Sequence, residues 1–199
     1  MMSSITVKFE SRSAKDNFRV ATTSYELAKR ASEEWEIDHH CVTGIVFVAF
    51  SIEAMLNHFG QILFDDWDTD RLDRKKLHKK LFGEVNLPDY LGTREYQNAK
   101  KCFDLRDLLA HGKTIEETII IKMPDDISRD EVVHAVTSIR SKSHRNTSCE
   151  VLKVFIDTAR KIERDIQMNG YYPNQLDLPK EDRERLLESP LSVTGIYTW

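Results

Sequence analysis

The segment from His39 to Phe64 constrains the fold more than any other part of the chain. Its apolar residues fall on nearly every side of an ideal helix, and such a helix belongs at the buried centre of a bundle. The apolar run before Glu53 is about a dozen residues long, which is too short to cross a bilayer. The sequence therefore predicts a helical bundle built around this segment and no membrane span.

Two other segments have the spacing of amphipathic helices. From Ala14 to about Glu36 and from Thr147 to Met168, apolar residues recur at helical intervals and define one apolar face. Asn169-Gly170 directly follows the second segment, and this pair is typical of a helix end. Both segments are predicted to supply core-facing helices of the bundle.

Two short stretches favour strands instead. Apolar and polar residues alternate from Ile5 to Phe9, and Ile115 to Met123 is rich in β-branched residues. Pairing of these two stretches would give a small two-stranded β ribbon outside the bundle. Between the second of these stretches and the last helix, the segment from Glu131 to Ile139 is predicted to form a short helix.

We therefore expect a mainly all-α fold, an up-and-down bundle of four to five helices over residues 14–170. Residues 1–13 form an N-terminal extension with a strand, and residues 171–199 form a proline-containing tail. The chain has 199 residues, of which 40% are hydrophobic, and this is enough for one substantial core. Nothing in the composition indicates a second core.

The composition narrows the functional classes. A net charge of −4 argues against a protein that coats nucleic acid without specificity, but a local basic cleft is compatible with this net charge.

The cysteines and the N-terminus bear on the cellular compartment. Cys41, Cys102 and Cys149 are far apart and lack paired spacing, which indicates a reduced, cytoplasmic protein. The N-terminus has no signal-peptide pattern. His39-His40-Cys41 and Asp65 to Asp68 lack ligand spacing, so we expect no metal and no cofactor.

The segment Leu105-Arg-Asp-Leu-Leu-Ala-His-Gly112 contains two residues suited to phosphate chemistry. Arg106 offers a fork of donors that matches phosphate, and His111 can exchange a proton near neutral pH. Asp107 lies one helical turn before His111, where it could accept a ring N–H and fix the tautomer. Arg106, Asp107 and His111 are therefore the candidate catalytic residues.

The two key side chains do not share a helical face. Arg106 and His111 are about 140° apart around an ideal helix. A tilted or unwound terminal turn before Gly112 would bring them together, and so would a second subunit.

Arg106 points where a core residue is expected. It falls near the middle of an apolar arc, where an unpaired guanidinium is strongly disfavoured. A carboxylate is therefore predicted opposite it, and the best candidate is Glu53, the lone charge in the central apolar run. Asn57 lies one turn after Glu53, and we expect the two to hold Arg106. The arc comprises Tyr96, Ala99, Cys102, Phe103, Leu109 and Ala110.

A purely structural interpretation fits the same residues. His111 would be a solvated residue favoured by the dipole at a helix end, and Arg106 would be half of a structural ion pair with Glu53. Asp107 would then be a surface carboxylate. Spacing alone leaves this interpretation open beside the catalytic one.

The most basic window of the chain lies between Arg71 and Lys80. A solvated helix face is one explanation. The other is a surface for an RNA backbone, whose phosphate contacts would weaken as salt rises. On that hypothesis, Lys100 and Lys101 extend the surface. The candidate RNA-binding residues are Arg71, Arg74, Lys75, Lys76, Lys79, Lys80 and Lys113.

Two segments together resemble the HEPN superfamily of small helical proteins. The first is Phe50-Ser-Ile-Glu-Ala-Met-Leu-Asn57, and the second is the segment that ends at Gly112. The family motif is an arginine, a polar residue, about three further residues and a histidine, and Arg106, Asp107 and His111 occupy those positions. The likeness covers roughly residues 14 to 170.

The resemblance implies a four- or five-helix bundle that forms homodimers and cleaves RNA without a metal. Members of this kind leave 2′,3′-cyclic phosphate ends, and many are toxins or anti-phage effectors, which implies an antitoxin or another protein partner. Other members have lost catalysis and bind RNA, nucleotides or proteins. We therefore expect an endoribonuclease, with a noncatalytic dimeric binding module as the alternative.

Overall fold

Six α-helices make up most of the chain that the computed structural model describes. The structure describes residues 8–9, 12–67, 73–111, 116, 118–124, 126–137, 144, 146–173, 187–192 and 196–197. In chain order, the helices are α1 (Ser13–Arg30), α2 (Glu34–Leu63), α3 (Arg74–Glu84), α4 (Arg94–His111), α5 (Arg129–Thr137) and α6 (Cys149–Asn169).

Helix α2 is the centre of the bundle. It packs against α1, α3, α4 and α6, and its Ile45, Val48, Ile52, Leu56 and Phe59 are completely buried. By length and composition alone α2 would pass for a membrane-spanning helix, yet half of its most apolar window is buried inside the protein. The prediction of a mainly all-α bundle is confirmed.

The first helix ends earlier than the apolar spacing predicts. It was expected to continue to Glu36, whereas α1 ends at Arg30 and α2 begins at Glu34. Lys29 and Arg30 complement the partial negative charge at the end of α1, and the acidic residues of the first turn complement the start of α2. The order of basic and then acidic residues marks a break that hydrophobic periodicity does not reveal.

The predicted pairing of the β ribbon is wrong. Strand β1 (Lys8–Phe9) pairs antiparallel with β2 (Ile196–Tyr197), near the other end of the chain. Within 115–123, residues 116 and 118–123 are described and none of them is in a strand, and Ile120 is 84% exposed. A strong β propensity does not give a strand where no neighbouring strand supplies hydrogen bonds and packing.

Residues 187–192 of the tail dock on the bundle. Leu187 and Leu191 are buried in the core. The Glu163 carboxylate on α6 accepts hydrogen bonds from Ser189 Oγ at 2.7 Å and from the Leu191 amide at 2.9 Å. Residues 187–192 therefore close one side of the same core.

Helix α6 begins and ends where the sequence indicates. Ser148 is its N-cap, with Oγ accepting a hydrogen bond from the Val151 amide at 3.3 Å. The helix ends at Asn169, directly before Gly170. Its buried residues, including Leu152, Ile162 and Ile166, face α2 and the rest of the core.

Candidate functional site

Helix α4 carries the arginine and histidine of the motif. Its N-cap is Thr93, whose Oγ1 accepts a hydrogen bond from the Tyr96 amide at 3.3 Å. The chain remains helical through His111. The terminal turn therefore does not unwind before the histidine, and Arg106 and His111 stay on different faces.

The motif arginine belongs to a network of four charged residues. Glu53 on α2 lies between two guanidinium groups, with Oε2 at 3.3 Å from Arg106 Nη2 and Oε1 at 3.0 Å from Arg74 Nη2. Asp107 is the second anion, with Oδ2 at 3.7 Å from Arg74 Nη1. Its Oδ1 lies 2.7 Å from Arg106 Nε, as a charge contact without hydrogen-bond alignment. The predicted contact between Glu53 and Arg106 is confirmed.

Aromatic rings complete the surroundings of both guanidinium groups. Arg106 lies over the ring of Phe50 at 5.2 Å, and Arg74 lies over the ring of Phe103 at 4.8 Å. The Arg106 side chain is only 12% exposed, whereas that of Arg74 is 37% exposed. Because the pairing and the ring contacts compensate for lost hydration, Arg106 can occupy a nearly buried position on α4.

The expected Asp107–His111 pair does not form. The Asp107 carboxylate faces Arg74 and Arg106 instead. His111 is exposed, and no described residue forms a hydrogen bond or ion pair with its ring. Two nearby guanidinium groups attract a carboxylate more strongly than one imidazole does, so the contacts with Arg74 and Arg106 prevail over the local one.

Asn57 does not hold Arg106, contrary to the prediction. Its Oδ1 accepts a hydrogen bond from Trp67 Nε1 at 3.3 Å. The second contact that Glu53 makes with a cation comes from Arg74 on α3, which was predicted only as an RNA-binding residue. The supporting role thus falls to a residue from another helix.

Helix α3 divides the basic window into buried, paired and exposed residues. Lys75, Lys76 and Lys79 are exposed. Lys80 is paired with Asp66 at 2.6 Å and lies over the ring of Phe64 at 4.3 Å. Arg71 and Lys113, which were also candidate RNA-binding residues, lie outside the described residues.

Helices α3 and α4 enclose a cleft of about 480 Å³. Arg74 and Lys75 line it from α3, and Tyr96, Lys100 and Asp104 line it from α4. Three cations, together with the carboxylates of Asp73 and Asp104, thus face one cleft, which no linear window of the sequence brings together. A local basic cleft can exist within a chain whose net charge is −4.

His111 lies on the same face of α4 as the residues that line this cleft. Lys100, Asp104, Asp107 and His111 occupy positions four, three and four residues apart along α4, and residues at this spacing share one face of a helix. The side of α4 that lines the cleft therefore continues to the exposed imidazole at the helix end.

A buried histidine lies behind the cleft. His78 was counted in the basic window, but its ring is buried and its Nδ1 lies 2.9 Å from the Tyr96 hydroxyl. Burial, followed by the nearby charge of Arg74, lowers the pKa of His78 to about 4. His78 is therefore neutral at pH 7 and packs α3 against α4 instead of binding phosphate.

The chain has no match among protein-family models, curated proteins or solved structures. Within the described residues, no cluster of three or more histidine, cysteine or carboxylate side chains is arranged to hold a metal ion. The functional interpretation therefore depends on the motif residues and on the geometry described above.

We predict that Glu53 contributes more to stability than Arg74. Glu53→Ala should lower the free energy of unfolding by about 3 kcal/mol, because it leaves the nearly buried Arg106 to share the single carboxylate of Asp107 with Arg74. Arg74→Ala should cost less than about 1 kcal/mol, because Arg74 is partly exposed and the Arg106 pair survives. Urea unfolding measures both, with Glu26→Ala, which removes an exposed ion pair on α1, as the control. Equal losses for Glu53→Ala and Arg74→Ala would contradict the bridging role.

We predict that His78 makes the protein less stable in mild acid. Its folded pKa of about 4 lies below the ordinary 6.5, so the unfolded chain binds the extra proton as pH falls. Stability from this group is present above pH 6.5 and is lost toward pH 4. Between pH 7 and pH 5 the loss should be about 2 kcal/mol. Denaturant unfolding of the wild type and of His78→Asn at both pH values checks this, and equal pH dependence would contradict it.

Proposed function

We propose that this chain is a HEPN-type, metal-independent endoribonuclease that acts as a homodimer, in the manner of a toxin or anti-phage effector. The supporting observation is that Arg74 of the basic helix and Arg106 of the motif share the carboxylate of Glu53. This contact sets the basic helix against the motif helix. The cleft between them is lined by three cations and two carboxylates, and the face of α4 that lines it continues to His111.

In the proposed reaction, the 2′-hydroxyl of RNA attacks the adjacent phosphorus and the 5′-oxygen of the next nucleotide leaves. His111 serves as the general acid or base for these proton transfers. Arg106 stabilises the extra negative charge on the pentavalent phosphorus. Among the described residues its contacts to Glu53 and Asp107 use Nη2 and Nε, which leaves Nη1 for a phosphate oxygen. The product has a 2′,3′-cyclic phosphate.

A second copy of the chain is part of this proposal. One chain holds Arg106 and His111 on different faces of an intact helix, so a single α4 cannot aim both at one phosphate. A two-fold partner would bring a second α4, with its own histidine, to the same place. The exposure of His111 in one chain is compatible with such an incomplete site.

The surface that suits a second copy is a groove of about 610 Å³ between α4 and α6. Its apolar lining includes Leu105, Leu108, Val151, Val154 and Phe155. Leu108 is 36% exposed and Val154 is 41% exposed. Leu108 lies one turn before His111, so a partner seated here would be adjacent to the proposed catalytic histidine.

The charges at this groove favour the same chain as its occupant. Lys101, Asp104 and Glu150 border the apolar residues, so both signs of charge occur around one patch. A two-fold interface places a patch against itself, and cations of one copy can then face anions of the other. We therefore propose that two α4/α6 grooves form the homodimer interface.

A noncatalytic dimeric module that binds RNA, a nucleotide or a protein is the second candidate function. The observation in its favour is that Glu53 and Asp107 already neutralise Arg106. In that case Arg106 is structural, and the basic cleft would bind its ligand without cleavage. RNA binding without any strand scission would support this candidate.

We predict that His111→Ala lowers RNA cleavage by about 10² to 10⁴-fold, the usual contribution of general acid-base catalysis. Because the side chain is exposed, its removal should leave the unfolding transition unchanged. The assay incubates purified protein and mixed RNA with a chelator, and identifies cyclic phosphate ends by mass spectrometry. His39→Ala, which removes an exposed histidine of α2, is the matched control and should retain activity.

Three outcomes of this assay are informative. Cleavage by the wild type and by His39→Ala, but not by His111→Ala, supports the proposal. Equal cleavage by all three proteins refutes the role of His111. RNA that stays intact with the wild type, while a gel-shift assay detects binding, supports the noncatalytic module.

We predict that Leu108→Glu dissociates the homodimer. Full burial of a leucine side chain contributes about 1.5 to 3 kcal/mol, and two are lost per dimer, so the Kd should rise about 100-fold or more. Sedimentation velocity measures the mass, and circular dichroism checks the fold. Leu27→Glu replaces a leucine on α1 that is slightly more exposed than Leu108, at 43% against 36%, and should remain dimeric. A monomeric wild type, or a dimeric Leu108→Glu, would contradict the proposed interface.

A further inference from the structure

The fold brings together two cysteines that are 108 positions apart in the sequence. Cys41 lies in α2, and Cys149 is the first residue of α6. Their Sγ atoms are 3.5 Å apart, and both thiols are free. The sequence alone indicated no pairing, because the two residues are far apart along the chain.

We propose that Cys41 and Cys149 form a reversible disulfide under oxidising conditions, with a peroxide as the oxidant. The proposal stands on the contact of the two sulfur atoms and is independent of the proposed RNA cleavage. A disulfide has an S–S length of about 2.0 Å, so the sulfurs need to approach by about 1.5 Å. Cys149 lies at the start of its helix, where a small side-chain and backbone adjustment is easiest.

The surroundings assign different roles to the two sulfurs. Cys41 is buried, and burial followed by the neighbouring Cys149 thiol raises its pKa to about 12. Cys149 is partly exposed and is the sulfur that a small oxidant reaches. Asp38 and Glu150 lie close enough to disfavour a thiolate at Cys41, so we expect slow formation of the disulfide rather than the rapid reaction of a dedicated peroxidase.

The chemistry balances as two steps. The Cys149 sulfur, having lost its proton, attacks a peroxide oxygen, and the O–O bond breaks to give Cys149 sulfenic acid and hydroxide. The Cys41 sulfur then attacks the Cys149 sulfur, forming the S–S bond and breaking the S–O bond. The proton of each thiol ends in water, so two thiols and one hydrogen peroxide give one disulfide and two waters.

The disulfide would connect the start of α6 to the central helix. Glu150 and Val151, which directly follow Cys149, form part of one wall of the groove between α4 and α6. Cys102 is the third cysteine, and it is a suitable internal control. It is buried in α4, its Sγ lies 3.8 Å from the Ile45 carbonyl oxygen, and burial raises its pKa.

The test treats the full-length native protein with hydrogen peroxide, alkylates the remaining thiols under denaturing conditions and digests the product for mass spectrometry. We expect a peptide pair joined through Cys41 and Cys149, an alkylated Cys102, and loss of the joined pair after dithiothreitol. The disulfide would close a loop between residues that are 108 positions apart, and this should raise the Tm by roughly 5 to 15 °C. Cys149→Ser should abolish both effects, and Cys102→Ala should retain both.

Several results would overturn the proposal. One is recovery of Cys41 and Cys149 as free thiols after exposure that oxidises methionine side chains. Another is a disulfide that includes Cys102 or joins two chains. A Tm that rises equally in the wild type and in Cys149→Ser would also contradict it, because the crosslink could not then be the cause.

Discussion

The carboxylate of Glu53 is the interaction on which the rest of the site depends. It is the one acidic group in the apolar run of the central helix, and it contacts a guanidinium group from each of α3 and α4. Three helices therefore meet at one charge. Burial of Arg106 depends on that charge and on Asp107, because a guanidinium without a counter-charge has a large desolvation cost.

This arrangement has consequences for both the fold and the chemistry. It orients α3 so that its arginine and a lysine face α4, and a cleft with several cations results. It also positions Arg106 through contacts at Nη2 and Nε, and a positioned donor is what stabilises charge in a transition state. The histidine at the end of α4 is not part of the network, so the proposed site needs groups from more than one chain.

Some helices and contacts could be predicted from the sequence, and others could not. The apolar spacing after His39 and after Thr147 located the central and last helices, since core burial demands a repeated face. The position of Arg106 in an apolar arc was enough to predict Glu53. The predicted contact between Asp107 and His111 was wrong, because two arginines attract the carboxylate more strongly than one imidazole does. The prediction that Asn57 holds Arg106 was also wrong, because the amide oxygen of Asn57 accepts a hydrogen bond from Trp67 instead.

The sequence by itself determined the helical class, the buried central helix and the need of Arg106 for a buried partner. These follow from hydrophobic periodicity and from the cost of an unpaired charge, and both are local properties. The tertiary structure alone decided that Arg74 joins the network, that His78 is buried and neutral, and that Cys41 contacts Cys149. Those contacts join residues far apart in the chain, and only the packing of whole helices against one another sets such distances.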